Sequence, residues 1–409
     1  MPHQIKTSKN GLTIILSIQP NVKITTIVSS SRAGSRYETK EERGYAHLME
    51  HTMLLGSKNY SQKDINSNLD LYGGYLNALT NQEFVKCTMQ VLSENEEKLL
   101  PIFADLLENP IFNEKILNNE KKVVLEEIKL FEGKYREILW RNTLQKILPK
   151  NHPLTNHALG EVNTIKKASS DHLAKYHNRT MQPNQTVICI ITPNKSGQKA
   201  SEYILNNLWK NQKIETQKNN KITTKIKQAY IEMEIPTPQS QILINYATKR
   251  LEYKESLILH LISTYLGYGK TGALKDMLRS QKGLIYSLQT MTPSYQEMSC
   301  FAVATSSTKP KEVIEVITNK LESLSQSITD QEIEIAKTKL INSVSLSFVN
   351  PINECNVLLS EYQNYNIVQT NEERKEKIKK IKPEEIKEIA SRLLKPQNRA
   401  IAIGKGKSD

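Results

Sequence analysis

TMQVLSENEEKLLPIFADLLEN (residues 88–109) and FAVATSSTKPKEVIEVITNKLESL (residues 301–324) follow one plan. Each begins as a strand, turns through a polar segment, and continues with apolar residues at helical spacing. Outward from these two stretches the elements recur in the same order. In the first half a strand at 23–28 leads to a helix through 44–55, and an alternating segment at 84–91 follows. A helix through 94–107 comes next, then one long helix from 114 to about 148. In the second half the counterparts are a strand at 241–246, a helix at 255–266 and an alternating segment at 299–304. An amphipathic helix at 311–324 and a long helix from Asp330 onward complete the set. The pattern reads as duplication of an α+β unit, each copy a mostly antiparallel sheet with helices on one face. Between the copies, residues 207–227 are polar, carry six lysines and lack apolar periodicity beyond their ends, so they read as a linker. The expected domains are therefore 1–206 and 228–409.

Composition narrows the class further. A chain of 409 residues exceeds one ordinary core. With 38% hydrophobic and 24% charged residues it reads as soluble and globular. No apolar run approaches the roughly 18–20 residues of a membrane helix. Met1–Lys6 runs almost directly into a short strand at 12–16, without the apolar core of a signal peptide, so the expected location is cytoplasmic. Cys87, Cys189, Cys300 and Cys355 are far apart and are expected to be reduced thiols. The net charge of +13 raises nucleic-acid binding, but the lysines are dispersed among glutamates without a long basic block. No nucleic-acid partner is expected.

The chemistry concentrates in His47-Leu48-Met49-Glu50-His51. On a helix His47 and His51 lie about 40° apart, with Glu50 about 60° to the other side of His47. Two imidazoles one turn apart can hold one ion while a carboxylate points at the same space. A catalytic zinc takes three protein ligands and keeps a position for water, so a third ligand is required from another helix. In NNEKKVVLEEIKL (118–130), Glu120 and Glu127 share one helical face, and Val123, Val124 and Ile128 give that helix an apolar docking surface. Glu126, about 100° from Glu127, is the less favoured ligand by geometry alone.

These residues resemble the inverzincins, the pitrilysin, insulysin and mitochondrial-processing-peptidase family, whose signature is H-x-x-E-H. Gly44-Tyr45-Ala46 and Leu55-Gly56-Ser57 look like the family's flanks, and the resemblance extends over essentially the whole chain. It implies zinc, one ion per chain, on His47, His51 and Glu127. Glu50 would be the general base and Glu120 a supporting carboxylate. Gly73-Gly74-Tyr75-Leu76-Asn77-Ala78 is similar to a family stretch in which the asparagine contacts substrate backbone beside an edge strand that pairs with extended peptide. Arg279 and Tyr286 look like the family's substrate-contacting pair near the scissile carbonyl, able to steady oxyanion charge. The implied activity is zinc-dependent endopeptidase action on peptides or unfolded protein segments inside a clamp-like chamber. Because chains of this length carry half of the four-domain clamp, a homodimer is implied, with a heterodimer as the variant arrangement. The contrasting function is a non-catalytic or partner-dependent peptide-binding scaffold, which would have no need of Glu50.

Two further features read as structural. His172 and His177 are off one helical face and are taken as surface residues, not metal ligands. Gly267-Tyr268-Gly269-Lys270-Thr271-Gly272 lacks the glycine that a phosphate loop would need at Thr264, and reads as a loop ahead of Arg279.

Overall fold

Short runs of β-branched and aliphatic residues become strands, and the longer periodic runs between them become helices. The computed structural model describes residues 3–193, 196–210 and 226–407. The first sheet contains β1 (Gln4–Thr7), β2 (Thr13–Ile18), β3 (Ile24–Ser31), β4 (Tyr75–Thr80), β5 (Val85–Leu92) and β6 (Thr186–Thr192). Its spatial order is β1-β2-β6-β3-β5-β4. The second contains β7 (Ala229–Glu234), β8 (Ser240–Lys249), β9 (Leu288–Met291), β10 (Met298–Ser307) and β11 (Arg399–Lys405). Its order is β7-β11-β8-β10-β9. Setting β1 aside, the two orders coincide strand for strand. The first and last strands of each set pair in parallel, β2 with β6 and β7 with β11, and every other pairing is antiparallel. The expected α+β plan of two related, mostly antiparallel sheets is thus present, but the helices, expected on one face only, lie on both faces of each sheet.

The chain divides into two compact units that are interleaved in sequence. One gathers Met1–Lys129, Asn156–Asn219 and Ser347–Thr370; the other gathers Leu130–Thr155, Asn220–Leu346 and Asn371–Asp409. The cause is a helix break in each half. The single helix expected over 114–148 is two helices, Glu114–Phe131 and Tyr135–Ile147. Gly133 disfavours helix continuation, and the N–H groups of Gly133 and Lys134 fall back on Leu130 O and Phe131 O in tight closing turns. The second half breaks between Asp330–Ser347 and Pro351–Tyr365, where Pro351 opens the new helix and Asn350 accepts the Ile352 N–H at 2.9 Å.

After each break the following helix belongs to the other unit. Pro351–Tyr365 lays Cys355, Leu358 and Leu359 on Ile15, Val28, Cys189 and Ile191 of the first sheet. Tyr135–Ile147 lays Leu139 on Leu243, Ala302 and Ala402, and Leu144 and Ile147 beside Ala247 and Cys300, of the second. Each sheet therefore carries this exchanged helix on the face opposite its own helical layer. That explains why β6 is apolar on both sides: Ile188 and Ile190 enter the main core of the first unit, while Cys189 and Ile191 meet the exchanged helix.

The expected linker differs at its start. Leu208 and Trp209 are buried in the core of the first unit, and the Asn10 amide donates to Trp209 O at 2.9 Å. Residues 211–225 of that segment lie outside the described residues. All four cysteines are free and buried. Among the described residues no helix is long and apolar enough to cross a membrane.

Candidate metal centre

The H-x-x-E-H motif occupies helix Tyr45–Met53. Ala46, Leu48, Met49, Thr52 and Met53 are buried on its core side, which leaves His47, Glu50 and His51 on the partly open side. Helix Glu114–Phe131 lies alongside, docked by Leu117 and Val124. Its Glu127 carboxylate stands 3.6 Å from His47 Nε2 and 3.6 Å from His51 Nε2. Glu50 reaches to 3.8 Å from His47 Nε2. Among the described residues, His47, His51 and Glu127 form the one histidine, cysteine and carboxylate group able to hold a metal, with ligand atoms within 4.8 Å of one another.

The donor set fits zinc. Two ligands at about 2.0–2.1 Å from a tetrahedral ion stand roughly 3.3 Å apart, close to the two 3.6 Å histidine–Glu127 separations. Burial, reinforced by His51 and His157, pushes His47 down to about 3, so it is a neutral imidazole with a lone pair to give at physiological pH. Glu120 accepts from, or is held by, His51 Nδ1 at 3.1 Å, which aims the other ring nitrogen toward Glu127. Glu126 points away and pairs with Lys129 at 2.7 Å.

Glu50 is raised above the ordinary carboxylate range, first by burial and then by the Glu127 charge, while His51 and a hydrogen bond from Thr80 pull it back. A carboxylate raised in this way is a stronger proton acceptor than an ordinary one. Thr80 was not foreseen, although strand alternation signals it. In β4, Leu76, Ala78 and Thr80 turn inward, whereas Tyr75, Asn77 and Leu79 are exposed. Asn77 and Ala78 therefore face opposite sides, with Asn77 on the open side of a strand at the end of the sheet order.

Arg279 and Tyr286 lie in the second unit, where the guanidinium carbon sits 5.3 Å from the Tyr286 ring centroid. Arg279 belongs to a π-helical turn, Asp276–Gln281, a distortion frequent at functional sites. Tyr286 is 76% exposed. The expectation that His172 and His177 are both surface residues is corrected for His177. It is buried, with Nε2 3.0 Å from Leu107 O, because the core of the first unit closes over that side of its helix. His172 is exposed and its Nδ1 meets the Tyr45 hydroxyl at 3.2 Å.

Residues 14–162 match the family model "Insulinase (Peptidase family M16)", and residues 167–340 match "Peptidase M16 inactive domain". The chain belongs to the M16 peptidase family. It is 25% identical over 401 residues to an "Uncharacterized zinc protease" of Rickettsia bellii, covering 97% of this chain and 96% of that one. It is 27% identical over 351 residues to "Uncharacterized zinc protease YmxG" of Bacillus subtilis, covering 83% of each. A more local match, 30% over 185 residues, joins 45% of this chain to 40% of "Mitochondrial-processing peptidase subunit beta" of Saccharomyces cerevisiae. Among solved structures, a protease from Helicobacter pylori shares the fold, with TM-score 0.87 at 19% identity over 98% of this chain and 99% of that one.

Proposed function

We propose that this protein is a zinc metalloendopeptidase that cleaves peptides or extended segments of unfolded protein. The observation that carries the proposal is the convergence of His47, His51 and Glu127 on one point with Glu50 beside it. Family membership and the relatives described as zinc proteases support the same reading. His47, His51 and Glu127 would hold the ion, and Glu120 would orient His51. When bound, zinc supplies a Lewis acid that lowers the pKa of water and takes up carbonyl charge.

Glu50 would then accept the proton of the attacking water and return it to the leaving amine. Asn77, on the exposed side of β4, would fix the substrate backbone as that strand pairs with an extended peptide. Arg279 and Tyr286 are proposed to steady the carbonyl oxygen. The division into a zinc-bearing half, 1–206, and a half without metal ligands, 228–409, belongs to this reading. So do a cytoplasmic location and assembly as a homodimer.

A fluorogenic peptide assay on zinc-loaded protein, with and without a chelator, tests the proposal. Chelator-sensitive cleavage restored by zinc is expected. Tight peptide binding without cleavage would replace the enzyme by a peptide-holding scaffold.

A further inference from the structure

The two histidines are held in different ways. His51 has a carboxylate on its second nitrogen, whereas His47 Nδ1 is buried with no hydrogen-bond partner among the described residues. His47 is therefore aimed by its ring contacts, such as the edge contact with His51, and by the backbone of its helix. His47 is the third residue of helix Tyr45–Met53, in the first turn, where N–H groups lack partners within the helix.

The residue at the helix cap cannot supply those partners. It is Gly44, with φ +100°, and it has no side chain. A Cβ at Gly44 would lie 2.6 Å from Ile165 Cδ1 and 3.0 Å from Gly160 Cα, so the usual serine or aspartate cap does not fit. Glu38 takes over the task from outside the helix. One carboxylate oxygen accepts the Gly44 N–H at 3.0 Å, and the other accepts the Ala46 N–H at 2.9 Å. This bidentate grip lies immediately before His47.

Glu38 is itself mounted on a tied-down turn. It follows the 3₁₀ turn Ser35–Tyr37 and is only 7% exposed. The Ser35 and Arg36 N–H groups donate to Asn81 O and Gln82 O, at 3.2 and 2.8 Å. The Arg36 guanidinium meets the Glu83 carboxylate, both buried, and the Tyr176 hydroxyl donates to Ala33 O at 2.9 Å. The carboxyl group is thus a fixed point anchored to the β4–β5 turn; burial pushes it up to about 8, against the pull of the Gly44 and Ala46 N–H groups, so the double acceptor is complete above that pH.

We propose that Glu38 is a positioning residue of the metal helix, setting His47 through the N–H groups of Gly44 and Ala46. The inference rests on the zinc-peptidase reading above, and its role is to make the first-turn ligand ready before metal arrives. Above about pH 8, where Glu38 is ionised, Glu38→Gln tests it with little change of shape, since an amide nitrogen would face one backbone N–H, donor against donor.

Zinc affinity is measured by competition with a chromophoric chelator. Values of kcat and KM are taken at saturating zinc, and unfolding of the metal-free protein is followed by circular dichroism. Glu38→Gln is expected to weaken zinc about 10–100-fold. It should also lower kcat with KM nearly unchanged. Leu358→Ala serves as the control for general destabilisation, because Leu358 packs on the opposite face of the sheet. It should lose stability while keeping zinc affinity. Glu38→Asp, with the carboxylate on a shorter stem, should recover part of the loss.

Wild-type zinc affinity and kcat in Glu38→Gln would overturn the role of Glu38 alone, even with a lowered unfolding temperature. A wild-type protein that takes up no zinc would overturn both this inference and the function it rests on. Should Glu38→Gln fail to fold, wild-type zinc affinity and kcat in Glu38→Asp overturn it instead.

Discussion

Helix Tyr45–Met53 packs on β4 and β5, and helix Tyr253–Gly267 packs on β9 and β10, the matching strands of the second sheet. The two positions are equivalent, yet the helices present different surfaces. Tyr253–Gly267 buries Leu257, Ile258, Leu259, Leu261, Ile262 and Leu266 over most of its circumference. Tyr45–Met53 keeps a polar strip of His47, Glu50 and His51. Where helix meets strand, the Thr80 hydroxyl donates to Ala46 O at 3.5 Å in one copy, whereas the Ser263 hydroxyl donates to Thr290 Oγ1 at 2.9 Å in the other. The scaffold is maintained by the sheet and its apolar layers, so it does not require the chemistry. Under the proposed function, one copy would carry the metal while the other supplies structure and substrate contacts.

The largest effect that sharpens this contrast is expected from Glu50→Gln. Turnover should fall by about 10²–10⁴-fold, with zinc content unchanged by elemental measurement. Appreciable remaining cleavage would remove Glu50 from the role of base. Glu127→Ala and His51→Ala should instead deplete zinc, and full stoichiometry in either would break the ligand assignment.

The exchanged helices test the symmetric part of the comparison. Leu358→Ala and Leu139→Ala each remove a fully packed side chain under such a helix. Each should cost about 2–5 kcal/mol in denaturant unfolding. Because each unit contains a helix from the other half of the sequence, a single transition is expected in both variants. Two separated transitions would show that the exchange contributes little cooperativity.

The smallest effect concerns the first unit alone. Burial lowers His177 below its ordinary value of 6.5, so the unfolded chain takes up a proton that the folded one refuses. Stability from this residue is present above about 6.5 and is lost as pH falls below it. His177→Gln, which keeps a donor for Leu107 O, should flatten the acid side of the stability profile relative to wild type. An unchanged slope would show that His177 is not the group responsible.

The sequence reveals features whose cause is local. His47, Glu50 and His51 declare themselves by spacing within one helix, and Glu120 and Glu127 by sharing a face seven residues apart. The strand order of the second sheet is likewise legible once the first is recognised as its repeat. Contacts decided by tertiary packing are not legible. Nothing in Tyr135–Ile147 or Pro351–Tyr365 states which sheet they will cover, and a lone Gly133 in a helical pattern conceals the break that releases the first of them. The spacing of His172 and His177 excludes a shared face but is silent on burial. Glu38 lies six residues before the glycine it serves, and only the crowding around Gly44 explains why an acceptor must come from so far.

The exchanged helices also alter what it means to divide this molecule. Cutting the chain within 207–227 would separate two sequence repeats, but each fragment would retain the helix that completes the other's sheet. The repeats are reciprocal halves in the manner of a split reporter. The duplicated gene segment and the unit of folding are therefore different objects, and neither repeat by itself contains a finished copy of the fold.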